Sequence, residues 1–556
     1  MTETIQNPIL RGFNPDPSIV RVGEDYYIAT STFEWFPGVQ IHHSRDLANW
    51  RLLTRPLTRA SQLNMLGAPD GCGVWAPCLT HADGRFWLIY TDVKRYGRTT
   101  VAGASGASLR DFHNYLVTAV SIEGPWSDPV FLNSSGFDPS LFHDDDGRKW
   151  LLNMLWDHRP GRPRFAGIVA QEYDPAARAL VGARQVIFPG TDLGLTEAPH
   201  LYKRDGWYHL ITAEGGTGFG HAVTMARARS LHGPYDLHPD GPVLTARDRP
   251  HAPLQRAGHA DLVETPDGQT WMAYLCGRPL PNRGRCVMGR ETALQPMVWG
   301  KDGWLRTRDD SGDPELTPPA PPLPPAPFAA LAIRTAFDAP TLPIDFQWPR
   351  SPYPEDLFNL DARPGWLRLI GRETLGSQYR QALVARRQQA FCYSAATVVD
   401  FSPQHFQQAA GLVCYYGASK FHYLFVSRDD EHGRHLQVMS ALPDGPQADA
   451  FSPITPLPDH GLVHLRVEVD FERLRFGWSL DGQAWTWLPQ VFDASILSDE
   501  ASAPGLPNFT GAFVGMACQD LSGAALPADF GHFDYEERDY RRDVRIESGT
   551  ASPMAR

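Results

Sequence analysis

From the N-terminus to about residue 313, short apolar runs alternate with tight polar turns in a repeating order of strand, turn, strand. The turns are Gly23-Glu24-Asp25, Asp83-Gly84-Arg85, Asp146-Gly147-Arg148, Asp205-Gly206 and Asp267-Gly268. Each leads into an aromatic-rich strand: YYIATS, FWLIYTD, KWLLNML, WYHLITA and TWMAYL. Asp-Gly between apolar runs is a strong hairpin signal, because both residues tolerate the positive φ of a two-residue turn. The aromatics Tyr27, Trp87, Trp150, Tyr208 and Trp271 recur at intervals of about 60, 63, 58 and 63 residues. A steady period of about 60 residues with a hairpin in every copy predicts four-stranded propeller blades. Five copies predict five blades.

The run PELTPPAPPLPPAP, Pro314 to Pro327, ends this pattern. So many prolines exclude a helix or a central strand and predict a stiff, extended linker over residues 314–330. Beyond it, GLVCYYGA, HLRVEVDF, LRFGWSLDG and TGAFVGMAC alternate with period two, which predicts a second all-β domain, a β-sandwich over residues 331–540. Residues 541–556 read as a charged tail. The fold class is therefore all-β: a five-bladed β-propeller followed by a β-sandwich.

Composition narrows the partners. A formal net charge of −12 without a Lys/Arg cluster disfavours nucleic acid and anionic membrane surfaces. No apolar run is long enough to span a bilayer. The seven cysteines are scattered, with no C-x-x-C pair, so neither a disulfide framework nor a zinc site is expected. With no apolar leader near Met1, a cytoplasmic protein is expected.

The segments upstream of the hairpins carry the chemistry. They read NPDPS around Asp16, VWAPC around Trp75, GFDPS around Asp138, TEAPH around Glu197 and AGHAD around His259. Counted back from the marker aromatics, Asp16, Asp138 and Glu197 lie about 11, 12 and 11 residues away, which reads as equivalent inner-strand positions in three blades. Their side chains then converge on the propeller axis. Isolated Asp-Pro pairs are common turn residues, but three converging carboxylates raise one another's pKa and are tolerated mainly at functional sites. Glycoside hydrolysis needs this combination, one protonated carboxyl beside an ionised one. A free Glu with a pKa of about 4.3 is protonated in only about one molecule in 500 at pH 7, so a neighbouring carboxylate that raises it is useful. Spacing does not say which carboxylate is the acid.

Over nearly its whole length the chain resembles glycoside hydrolase family 43, most closely its bacterial two-domain β-xylosidase branch. The resemblance rests on NPDPSIVRVGEDYYIATSTFEWFPGVQIHHSRDLANW, WAPCL, GFDPSLFHDDDG, TEAPHLY, AGHADLVET and GRETALQ. In the second domain it rests on ARPGWLRLIGRE, FQQAAGLVCYYG and FTGAFVGM. The resemblance implies an inverting, exo-acting hydrolase that releases xylose from the non-reducing ends of 1,4-β-xylo-oligosaccharides or from aryl-xylosides. Asp16 would be the general base, Glu197 the general acid and Asp138 the group that raises the acid's pKa. It also implies that Arg290 hydrogen-bonds the sugar, that Phe33 and Trp75 line the pocket, and that Phe509 of the second domain closes it. Core packing is the alternative for these three aromatics, and a structural ion pair for Arg290. His259 is implied at the pocket floor, with a neutral core histidine as its alternative. No cofactor is required for the chemistry. No metal-ligand cluster is present, so a Ca²⁺ or other divalent ion near the axis would be held largely through water, with His259 as one contact. The branch implies a homodimer or homotetramer. Cys78 stands where the family often has an acidic residue. α-L-Arabinofuranosidase activity, alone or alongside, is the nearest alternative, and a non-catalytic carbohydrate-binding propeller is the alternative of another class.

Overall fold

The computed structural model describes residues 4–96, 109–281, 283–442, 449–501 and 509–538. The expected charged tail, residues 541–556, lies outside them. Among the described residues the only helices are two single 3₁₀ turns, Pro354–Asp356 and Ala494–Ile496.

The first domain is a five-bladed propeller of four-stranded antiparallel blades. Blade one is Ser18–Val22, Asp25–Thr30, Gln40–Ser44 and Arg51–Thr54; blade two is Gly73–Ala82, Arg85–Arg95, Asp111–Ala119 and Val130–Asn133. Blade three is Ser140–His143, Lys149–Trp156, Phe165–Asp174 and Ala179–Phe188. Blade four is Glu197–Arg204, Trp207–Glu214, Ala222–Ala228 and Asp236–Leu237, with Leu244–Thr245 also paired to its third strand. Blade five is Gln255–Glu264, Thr270–Gly277, Glu291–Trp299 and Leu305–Thr307. Two of the Asp-Gly signals form two-residue turns, Ala82 pairing with Arg85 and Arg204 with Trp207, with Asp83, Gly84, Asp205 and Gly206 all at positive φ; the other two lie in five-residue loops closed by His143 with Lys149 and Glu264 with Thr270.

Side chains close the ring between blades five and one. Asp261 accepts from Ser18 Oγ at 2.9 Å and from the Ile19 amide at 2.8 Å. Ser18 in turn accepts from the Leu79 amide of blade two. Cys78 belongs to this ring of inner-strand residues, and burial pushes its thiol up to about 12.

The proline-rich segment lies along the propeller. The Ile5 and Asn7 amides donate to Pro318 O and Leu316 O, each at 2.9 Å, and the Ala326 amide donates to Asp46 Oδ2 at 2.7 Å. The second domain packs a seven-stranded sheet, centred on Phe513–Asp520, Gln408–Gly417 and Lys420–Asp429, against a nine-stranded sheet centred on Pro527–Glu537, Cys392–Asp400 and Val463–Asp470. The four alternating segments picked out in the sequence are strands Gln408–Gly417, Val463–Asp470, Arg473–Ser479 and Phe513–Asp520.

The two domains share one apolar core. Trp35, fully buried, stacks on Phe513 with ring centroids 3.7 Å apart, and Tyr415 meets it edge-on. Backbone pairing crosses the boundary, Trp35 with Pro349 and Phe36 with Trp348. Next to it Arg350 is wholly buried, donating to Ala68 O, Gln381 Oε1 and Asp70 Oδ1 at 2.7, 2.9 and 2.6 Å. A buried ion pair spanning two domains leaves an uncompensated charge if either side moves away. The domains therefore form one unit. Truncating Trp35 to Ala is expected to cost about 3–5 kcal/mol and to split the single thermal transition into two, as read by scanning calorimetry.

Candidate active site

In all five blades the residue that enters the innermost strand has positive φ: Asp16 (56°), Ala76 (33°), Asp138 (54°), Ala198 (51°) and His259 (44°). Non-glycine residues seldom take this conformation, and it concentrates at functional sites. Each lies two residues before the regular pairs Ser18↔Ala29, Cys78↔Ile89, Ser140↔Leu152, His200↔Ile211 and Asp261↔Ala273. These five are the true equivalents. Glu197 is one residue earlier, in the place held by Trp75 and Phe137, and Ala198 is the counterpart of Asp16 and Asp138. Counting from the aromatic of each turn concealed this offset. Tyr27 and Trp150 pair with the residue four beyond the hub position, whereas in blade four His209 does so, pairing with Tyr202, and Tyr208 is one residue out of step. The positive-φ residue breaks strand alternation, and in blade three Phe137 and Asp138 both face one cavity.

That cavity, about 280 Å³, is lined by Asp16, Asp138 and Glu197 together with Arg290, His259 and the aromatics Phe33, Trp75 and Phe509. All eight residues singled out in the sequence meet there. Tyr96, Phe137, Phe165, Leu195, Gly216 and Thr217 complete the wall. Aligning the blades on the hub position would have found Phe137, because it matches Trp75 and Glu197. Tyr96, Phe165 and Thr217 come from strand ends and loops whose reach no periodicity encodes.

Each carboxylate has its own surroundings. Asp16 accepts from Ser31 Oγ at 2.7 Å and from Arg290 Nη1 at 2.9 Å. Ser31, unnoticed in the sequence, also accepts from the Ala76 amide at 2.7 Å, so it fixes Asp16 to blade two. Asp138 is hydrogen-bonded by the Ala198 amide, next to Glu197. Burial, then Glu197, then Asp16 push Asp138 well above the ordinary carboxylate range. Burial and the Asp16 charge push Glu197 up to about 8, with Arg290 opposing. The loop leading to Glu197 is pinned by Glu214, whose Oε1 accepts from the Thr191 amide at 2.9 Å and Thr196 Oγ1 at 2.8 Å.

Arg290 is the junction of the site. Its Nη2 donates to Phe509 O at 2.9 Å, and its guanidinium lies 5.1 and 5.8 Å from the Phe33 and Phe509 ring centroids. Phe509 sits 5.4 Å from Trp75 and 5.8 Å from Tyr96, ring to ring, so the second domain supplies part of the wall. Two glycines allow this approach. A Cβ on Gly289, whose φ is +69°, would meet Thr510 O at 2.3 Å, and one on Gly511 would meet Met288 O at 2.7 Å. Gly258 has a comparable reason, since a Cβ there would overlap the ring of His221.

His259 Nδ1 lies 3.6 Å from Asp16 Oδ1, and burial holds its imidazole neutral by lowering its pKa to about 4. A divalent cation at this point would depend largely on water ligands. Calcium takes about six to eight oxygen ligands, the Asp16 oxygens already face Ser31 and Arg290, and among the described residues no three His, Cys, Asp or Glu side chains gather into a metal-binding group.

Two outcomes follow from this geometry. Gly289→Ala displaces Phe509 and Arg290 together and is expected to lower kcat/KM about 10²-fold with the fold retained, as checked by steady-state kinetics and circular dichroism. Because the folded protein holds a proton on Glu197 up to about pH 8, and the unfolded chain releases it near the ordinary value, stability falls as pH rises between the two. Glu197→Gln should therefore raise Tm by several degrees at pH 8 and leave it unchanged near pH 4, as read by calorimetry across pH.

The chain matches known proteins. Residues 5–305 match the family model described as glycosyl hydrolases family 43, and residues 334–536 match the β-xylosidase C-terminal concanavalin A-like domain. A xylosidase/arabinosidase of Humicola insolens is 53% identical over 96% of this chain and 97% of its own length. A xylan 1,3-β-xylosidase of a Vibrio species is 45% identical over 97% and 100%. The crystal structure of xylan β-1,4-xylosidase from Bacillus halodurans C-125 superposes with a TM-score of 0.92, at 50% identity over 96% of this chain and 100% of that one. The chain belongs to glycosyl hydrolases family 43, as an enzyme that carries the family's catalytic propeller and the concanavalin A-like second domain.

Proposed function

We propose that this enzyme removes D-xylose from the non-reducing ends of β-linked xylo-oligosaccharides and from aryl-xylosides, with inversion at the anomeric carbon. One observation carries the division of labour. Within a single pocket, Asp16 receives two donors while Glu197 is pushed up to about 8. Asp16 is then the general base that takes a proton from water as the water attacks the anomeric carbon. Glu197 delivers a proton to the departing oxygen. Burial and the Asp16 charge keep the acid protonated at neutral pH, and Asp138, hydrogen-bonded by the Ala198 amide, helps to orient it. Arg290 Nε is buried with no protein acceptor among the described residues, which leaves a donor for a sugar hydroxyl. The pocket volume, about 280 Å³, falls just below the range for ligand sites, which runs from about 300 to 1,000 Å³. With Phe509 in its wall, it suits a chain end better than a passing polymer.

The relatives motivate two finer points. The Vibrio and Bacillus relatives are named for 1,3 and 1,4 linkages, and we favour the 1,4 linkage because the Bacillus structure covers this chain at higher identity. The Humicola relative is named for both sugars, so α-L-arabinofuranosidase activity is the second reading. Seven free, buried cysteines suit a reducing compartment such as the cytoplasm.

Asp16→Ala is expected to lower kcat about 10²–10⁴-fold on every substrate, in line with losing one acid–base group. Glu197→Ala should slow xylobiose far more than 4-nitrophenyl xyloside, whose leaving group needs little protonation, and should abolish the fall in rate as pH rises through about 8. Near-normal turnover by Asp16→Ala would sink the assignment. Proton NMR should show α-xylose first, and β-xylose first would rule out inversion. Comparing 4-nitrophenyl xyloside with 4-nitrophenyl arabinofuranoside, with and without chelator, ranks the two sugars and tests the metal.

A further inference from the structure

A second cavity, of about 710 Å³, lies between the propeller and the sandwich and shares no lining residue with the catalytic pocket. Blade one contributes Arg51 and Arg55 to its wall, and the sandwich strand Ala382–Arg387 contributes Arg386 and Arg387. Arg55, Arg386 and Arg387 are only 8%, 4% and 7% exposed.

These cations are met by neutral groups. Arg55 donates through Nη2 to Gln40 Oε1 at 2.8 Å and through Nη1 to the Ile344 and Phe346 carbonyls. Arg387 donates to Phe13 O at 2.6 Å and Gln347 Oε1 at 2.5 Å. Arg386 reaches Gln389 Oε1 at 3.3 Å and lies over the Tyr535 ring. One donor of each guanidinium stays buried without an acceptor among the described residues: Arg55 Nε, Arg386 Nε and Arg387 Nη2. The wall holds two carboxylates, Asp345 and Glu537, and Glu537 pairs with Arg11 at 2.7 Å. Asp345 attracts Arg55 and Arg387 without forming an ion pair with either. Burial lowers Arg55 to about 9, and burial with Arg55 beside it pulls Arg387 well down. His42, in the same wall, is driven to about 3 by burial and by these two arginines.

Buried like charges with unused donors are costly unless an anion completes them. A guanidinium is a planar fork matched to the paired oxygens of carboxylate or phosphate. We propose that this interdomain cavity is a binding site for a small oxyanion, a carboxylate or phosphate group received by Arg55 from the propeller and by Arg386 and Arg387 from the sandwich. The ligand ties the two domains together. It also sits behind the segment that carries Asp16, because Asn14 lines the same cavity and accepts from Gln40 and His42.

Isothermal titration of the full-length enzyme with sodium phosphate and with sodium glucuronate, at ionic strength fixed with chloride, tests this. Saturable binding at one site per chain is expected for at least one of them, and the tighter of the two identifies the source as free phosphate or an acidic sugar. Binding should persist in Arg290→Gln, which removes the cation of the catalytic pocket. It should weaken by about tenfold or more in Arg387→Gln and Arg55→Gln. Arg55→Lys, which keeps the charge and loses the fork, decides the matter if either neutral variant does not fold. No saturable heat with either anion, unchanged affinity in the Arg55 and Arg387 variants, or loss of binding in Arg290→Gln would each overturn the proposal.

Discussion

The buried pair between Arg290 and Asp16 holds the catalytic end of this molecule together. Both side chains are almost fully removed from water, at 3% and 5% exposure, so neither tolerates loss of its partner. Arg290 precedes the third strand of blade five and Asp16 precedes the first strand of blade one. Their contact therefore fixes the seam where the propeller closes. The same guanidinium holds Phe509 O. One cation thus sets the seam, a hydrogen bond to one carboxylate and the position of the second domain's insertion. Gly289 and Gly511, beside it, are glycine because the two chains pass too closely for a side chain.

The chemistry depends on an asymmetry among three like groups. Were all three carboxylates placed alike, their repulsion would be shared and no acid would stand apart from a base. Of the three, Asp16 is the one that accepts hydrogen bonds from Arg290 and Ser31, while burial and the neighbouring carboxylates push Asp138 and Glu197 upward. Burial is the largest cause of the upward shift of Glu197, so the aromatic wall of the pocket bears directly on its proton. The second domain takes part in this, because Phe509 forms part of the pocket wall. The rigid join through Trp35, Phe513 and Arg350 keeps that contribution in place. The interdomain cavity with its arginines lies along the same boundary, so a bound anion there would reinforce it.

Much of the architecture was legible in the sequence because it is local. Asp-Gly turns, period-two alternation and a repeat of about 60 residues are properties of neighbouring residues, and they gave five blades and a β-sandwich. The proline run was legible for the same reason. The repeat also brought Asp16, Asp138 and Glu197 to the hub, although it misjudged Glu197 by one residue. Turn length varies between blades, so a count made from the turn does not preserve hub register, whereas the backbone dihedral at Asp16, Asp138 and Ala198 does.

The residue types at the hub were determined by the sequence alone. The tertiary structure decided which carboxylate receives Arg290, which are left to repel each other, and that Ser31 and Glu214 hold them in place. Those facts depend on contacts between segments hundreds of residues apart, such as Arg290 with Asp16 and Phe509 with Arg290, and no local period encodes them. Hydrogen-bond direction and burial are set only when the blades close and the second domain docks. Three aspartate and glutamate codons were enough to suggest an acid–base site, and it took the folded pocket to make the three carboxylates unlike one another.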